Sequence, residues 1–145
     1  MTDLHCHILP AIDDGAKNAK VSMELLRMQN DAGITDIVCT PHFNPDSQNL
    51  EDFIDKRYRS ARYLADYVFR SELPVRLKFG AEVRISPTIL DLDFLPLCFQ
   101  KTKVMLLEMP RTLRPQWDTN VIYQLTLGGV IPLIAHIERY PYCLL

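Results

Sequence analysis

The sequence predicts an α/β protein built on a parallel sheet, and three observations predict it. Short aliphatic runs alternate with segments whose apolar residues recur at helical spacing. The runs are apolar almost throughout, as in strands covered on both faces. Finally, a histidine or a glutamate closes or follows each of five such runs, where a parallel layout gathers its loops.

The chain opens "MTDLHCHILPAIDDG". If residues 2–7 are extended, alternation sends His5 and His7 to one face, where they can grip one metal ion. Two half-exposed polar residues at a strand end give the same H-x-H pattern. The D-D-G that follows reads first as a turn, and Asp14 could equally reach a metal or donate a proton. "AKVSMELLRMQNDAG" then spaces Val21, Leu25, Met28 and Ala32 as a helical stripe that stops at Gly33.

"ITDIVCTPHF" predicts a strand over 34–40 that Pro41 ends, with His42 just beyond it. Leu50, Phe53, Ile54, Ala61, Leu64, Ala65 and Val68 mark a long helix over about 49–70. Its basic cluster, "DKRYRSARY", is most simply a solvated face, the other reading being a docking surface for an acidic partner. Pro74 opens "PVRLKFGAEVRI", a third strand that Glu82 follows. After an irregular or helical stretch, "KVMLLEMP" is a strand that Glu108 closes ahead of Pro110. Trp117, Val121, Ile122 and Leu125 predict a helix that ends at Gly128–Gly129, and the last strand, "VIPLIAH", ends in His136.

With 145 residues and 48% hydrophobic content the chain suits one globular domain over 1–145. No window is apolar enough for a membrane span, and no basic region precedes an apolar run, so neither membrane insertion nor a signal peptide is expected, and the setting is taken as cytoplasmic. Four scattered cysteines without a C-x-x-C pair argue against a zinc ribbon and for reduced thiols. A net charge of −2 gives no electrostatic case for nucleic acid.

All four histidines and both strand-end glutamates therefore point to one rim. A carboxylate at the end of a Leu-Leu run is costly to bury, by several kcal/mol, unless a cation or hydrogen bonds satisfy it. Six such groups exceed what one ion needs, which suggests two or three divalent ions and phosphoester hydrolysis, with hydroxide from a bound water whose pKa falls from about 15.7 toward about 7. No cysteine opens a C-x5-R phosphatase loop. In "HIERYP", Arg139 could take a phosphate with two parallel hydrogen bonds, or simply pair with Glu138 or another acid.

In order and spacing, "DLHCHILPAIDDGAK", "GITDIVCTPHF", "FGAEVRI", "LLEMP" and "IPLIAHIERYP" resemble the bacterial capsule-locus (CpsB-type) metal-dependent protein-tyrosine phosphatases of the PHP (polymerase and histidinol phosphatase) superfamily. The resemblance implies a distorted, TIM-like β/α barrel, here about five βα units of it, and a cluster of two or three ions preferring Mn2+, with Fe2+ or Zn2+ as alternatives. It implies hydrolysis of phosphotyrosine on a partner tyrosine kinase that controls capsular or exopolysaccharide export. Carried over by position, His5, His7, Asp14, His42, Glu82, Glu108 and His136 are the metal ligands, with Glu82 bridging. Asp14 and Arg139 are the catalytic groups, Arg139 holding the phosphate.

Two departures stand out. Ile137 occupies the position that is usually proline in the H-P-E-R-Y motif, and a late Asp-x-His pair and a further arginine are missing, so a C-terminally truncated member with reduced activity and a tendency to self-associate is expected. The competing expectations are a small-molecule phosphomonoesterase and a non-catalytic metal-binding module that docks on the kinase.

Overall fold

The structure, a computed structural model, describes residues 1–143. Its elements run β1 (Thr2–Cys6), α1 (Ala19–Asp31), β2 (Asp36–Cys39), β3 (His42–Phe43), α2 (Leu50–Ser71), β4 (Arg76–Phe79), β5 (Glu82–Arg84), β6 (Val104–Glu108), α3 (Asp118–Leu127) and β7 (Ile131–Ile134). Single 3-10 turns occupy Pro87–Asp91, Leu95–Leu97, Ile137–Arg139 and Pro141–Cys143. Every strand pairing is parallel, as the alternation of elements predicts. No helix among the described residues is long and apolar enough to cross a membrane.

The chain forms two compact units, one from Met1–Pro41 with Glu51–Phe79 and the other from His42–Leu50 with the residues from Gly80 on. The first holds the sheet β1-β2-β4 and the second the sheet β3-β5-β6-β7. The run 74–85 is therefore split at Gly80–Ala81, and beyond the strand that Pro41 was expected to end, His42–Phe43 forms a further strand where a loop was expected. Pro41 has no N–H to give a ladder, so β2 ends and a new strand begins at His42. At Gly80 a Cβ would lie 2.7 Å from Cδ1 of Phe99, so only glycine lets the backbone pass that ring without displacing it.

In the first unit the side chains of Ile8, Leu9, Met23, Leu26, Ile37, Cys39, Ala61 and Leu64 form one cluster, bordered by Val68, Leu77 and Phe79. Leu26 and Leu64 are wholly buried, and each contributes about 1.5–3 kcal/mol relative to an exposed position. Asn18 caps α1, its side chain accepting from the Val21 N–H at 3.0 Å. The face that α1 buries is Ala19, Ser22, Met23 and Leu26. The expected stripe is the wrong one: Leu25 and Ala32 are exposed and Met28 is 67% exposed, the three lining an open groove with Cys6, His7 and Ile34. Both stripes have helical spacing, and only tertiary packing separates them.

Helix α2 anchors the loop after β1. Lys56 Nζ donates to the Ile12 carbonyl at 2.9 Å and Ser60 Oγ to that of Pro10 at 2.8 Å. Arg57 lies 5.4 Å over the Phe53 ring, and burial lowers the pKa of its guanidinium. Part of the basic cluster thus braces this loop and is not simply solvated.

In the second unit α3 packs against β7 and the Pro87–Asp91 turn. Val83, Met105, Leu107, Val121 and Leu125 are buried. Asp118, also buried, starts α3 and takes Arg114 Nε at 2.6 Å.

Candidate metal centre

In the first unit β1 ends in a bulge. Asp3 pairs with Ile37 and Cys6 with Cys39, so three steps along β1 match two along β2, and such an extra residue re-aims the side chains around it. His5 and His7 end with their Nε2 atoms 3.2 Å apart, the separation of about 3 to 3.4 Å that two nitrogens each about 2.1 Å from one ion adopt. A donor atom of Asp14, which is exposed, lies within 4.8 Å of one on His7.

The D-D-G turn packs on His7 itself. Ala16 N–H donates to the His7 carbonyl at 3.0 Å, and a Cβ at Gly15 would fall 2.1 Å from that oxygen. Asp13 Oδ1 accepts the Gly15 N–H at 3.0 Å, and Asp13 Oδ2 lies 2.8 Å from His7 Nδ1. Asp13 escaped the sequence reading, which assigned the chemistry of the pair to Asp14. The signal available was spacing: an Asx turn needs its carboxylate two residues before the receiving N–H.

In the second unit four donors meet. The parallel register places His42 beside Glu82, and Arg84 beside Glu108. His42 Nδ1 lies 3.3 Å from Glu82 Oε2 and 3.9 Å from Glu108 Oε2. His136 Nε2 lies 2.8 Å from Glu82 Oε1 and 3.8 Å from Glu108 Oε1. Exposure grades across the set, with side-chain values of 1% for Glu82, 9% for His136, 18% for Glu108 and 36% for His42, so the set runs from a buried carboxylate to a solvent-accessible imidazole.

A carboxylate as buried as Glu82, with a second carboxylate close by, needs positive charge. Two imidazoles and two carboxylates form a mixed N/O set that fits Mn2+, Fe2+ or Zn2+. Arg111 approaches only from the edge, its Nη2 3.7 Å from Glu108 Oε1 on an exposed side chain.

The backbone at His136 is left-handed, with φ 33° and ψ 52°, a conformation uncommon outside glycine. It turns the chain from β7 into the Ile137–Arg139 turn, which Arg139 N–H closes on the His136 carbonyl at 2.9 Å. Ile137 opens that 3-10 turn, and since the φ usual in such turns is close to the value proline would impose, the turn forms without proline. Arg139 is 57% exposed and only 3.7 Å from Glu138. A pair this loose is worth about 0–1 kcal/mol and leaves the guanidinium available for an anion.

Tyr140 is fully buried. Its hydroxyl accepts the Met109 N–H at 2.9 Å, and burial pushes its pKa up to about 12, with the neighbouring Glu108 and Glu82 carboxylates adding to the effect. The Cys6 thiol is pushed far above its ordinary value by its hydrogen bond with Cys39 and by burial. It is therefore a poor nucleophile, in keeping with the missing C-x5-R loop.

The profile of the family described as "Capsular polysaccharide synthesis, CpsB/CapC" matches residues 1–144. The tyrosine-protein phosphatase YwqE of Bacillus subtilis (strain 168) is 35% identical over 142 residues, covering 96% of this chain and 55% of its own. The tyrosine-protein phosphatase CpsB of Streptococcus agalactiae is 27% identical over 146 residues, covering 97% of this chain and 58% of its own. Among solved structures, the work describing YwqE from B. subtilis and CpsB from Streptococcus pneumoniae as metal-dependent tyrosine phosphatases contains a chain that matches with a TM-score of 0.85 and 34% identity, over 98% of this chain and 57% of that one. The chain thus spans a little over half the length of the relatives it matches.

Proposed function

This chain belongs to the CpsB/CapC family of capsular polysaccharide synthesis, and on that premise we propose that it carries the metal-binding part of a protein-tyrosine phosphatase. The observation that carries the reading is Glu82, a buried carboxylate with an imidazole nitrogen at 2.8 Å on one oxygen and another at 3.3 Å on the other. We assign His42, Glu82, Glu108 and His136, together with His5, His7 and Asp14, as ligands for two or three divalent ions, Mn2+ first. The parallel pairing within each sheet supports a PHP-type β/α barrel as the fold of the domain.

When bound, such ions activate water and neutralise phosphoryl oxygens. The chain's own groups do the rest. Arg139 grips two phosphate oxygens through its planar guanidinium and orients phosphorus toward the attacking water. As the O–P bond to water forms, the bond from phosphorus to the tyrosine oxygen breaks, and the proton that the water gives up passes through the Asp14 carboxylate to the departing phenolate oxygen. Tyrosine and inorganic phosphate are the products. The substrate is a phosphotyrosine segment of a kinase of polysaccharide export. We place the reaction in the cytoplasm, with four unbridged cysteines as its support.

The test is phosphate release from a phosphotyrosine peptide and from small phosphomonoesters, with Mn2+ and after chelation. Peptide turnover that chelation abolishes and Mn2+ restores supports the proposal. Preference for the small esters transfers the site to a phosphomonoesterase, and binding of the peptide without turnover makes the chain a non-catalytic module.

A further inference from the structure

We infer that Tyr140 and Tyr142 are positioning residues, which fasten the chain just after Glu108 to the loop that carries His136 and so hold those two donors in metal-binding geometry. The inference rests on the metal reading of the second unit.

The ladder between β6 and β7 runs from Val104–Ile131 to Leu107–Ile134, and its last bond is Ala135 N–H to the Leu107 carbonyl at 2.9 Å. Both donors lie one residue beyond that bond, Glu108 on one strand and His136 on the other. Nothing in the ladder fixes the spacing of the chains there. Two tyrosine bonds do so from the far side. Met109 N–H donates to Tyr140 Oη, and Tyr142 Oη donates to the Pro110 carbonyl. The two rings stack at 5.7 Å with an interplanar angle of 12°, and Tyr140 also meets the His136 ring at 5.4 Å. Glu108 and His136 are thus bracketed between the final ladder bond and the tyrosine pair. Such bracketing also explains how His136 keeps a left-handed backbone, since a strained residue persists only where its surroundings over-determine it.

The test uses the full chain and Co2+, whose visible spectrum reports coordination geometry independently of turnover. Tyr140→Phe removes the acceptor for Met109 N–H while keeping the ring, and Tyr142→Phe removes the donor to Pro110. Both are expected to keep the wild-type far-UV circular dichroism, to change the Co2+ spectrum, and to weaken Co2+ binding by about 10- to 100-fold, the range for residues that orient metal ligands. Should Tyr140→Phe fail to fold, Tyr142→Phe, on a less buried ring, carries the test. A Val121→Ala variant in α3 controls for general destabilisation. The inference is overturned if the tyrosine variants bind Co2+ with wild-type affinity and spectrum, or if Val121→Ala changes the spectrum equally. Glu108→Gln separates the two levels: if it does not weaken Co2+ binding, the donor set itself is wrong, and if it does while both tyrosine variants match wild type, only the positioning role fails.

Discussion

His7 Nδ1 lies 2.8 Å from Asp13 Oδ2, and this contact turns the ring's other nitrogen toward His5 Nε2. A carboxylate on one imidazole nitrogen fixes the tautomer and makes the opposite nitrogen a better ligand. Asp13→Asn should therefore lower metal affinity by about 10- to 100-fold while leaving the melting temperature without metal nearly unchanged. Calorimetric titration with Mn2+ checks this, and an unaltered dissociation constant contradicts it.

Gly15 shows how tightly the turn is fitted to that histidine. A methyl group there would sit 2.1 Å from the His7 oxygen, so Gly15→Ala must push the loop off β1. Overpacking of this kind costs about 1–3 kcal/mol, and the same displacement moves Asp13. Urea unfolding should show the stability loss, and metal titration a parallel loss of affinity.

Arg139 should behave differently from the donors. Its side chain is exposed and only loosely paired, so Arg139→Ala should leave metal stoichiometry intact and raise KM for a phosphotyrosine peptide, by about 10- to 150-fold if charge-assisted hydrogen bonds worth about 1.5–3 kcal/mol are lost. Metal loss as severe as in His136→Ala would show that the two roles are wrongly divided.

Acid stability has a specific contributor at the start of α3. Burial works against ionisation of Asp118, yet the bonds from Arg114 and from the Thr119 hydroxyl and N–H hold its carboxyl below the usual carboxylate range. A depressed folded-state pKa gives stability that is fully present above the unfolded value of about 3.9 and is lost as pH falls through the lower folded value. Asp118→Asn should accordingly melt below wild type at pH 7, and the gap should shrink once pH drops under about 3.9. A gap independent of pH would remove the ionic explanation.

How far the sequence revealed this can be judged residue by residue. β6 was legible because a run as apolar as "VMLLE" has no competing register, and Glu108 stands at its end. The break at Gly80 was not, since it depends on the Phe99 ring, which approaches from a distant part of the chain. Helix α1 was found but turned to the wrong face, because its two apolar stripes differ only in what the sheet presents to them. His42, Glu82, Glu108 and His136 were recognisable as a set by their places relative to strands and by motif. Asp13 and Tyr140 were not, because they touch other ligands' side chains and backbone and leave no pattern of their own.

The most direct test of the central claim is Mn2+ stoichiometry by elemental analysis, on protein purified without nickel resin and loaded with Mn2+, comparing wild type with Glu82→Gln/Glu108→Gln. The account predicts at least one tightly held ion per wild-type chain and fewer in the double variant, whose side chains keep their size but lose the charge that demands a cation. Equal metal content in the two proteins, or none in wild type, would contradict it.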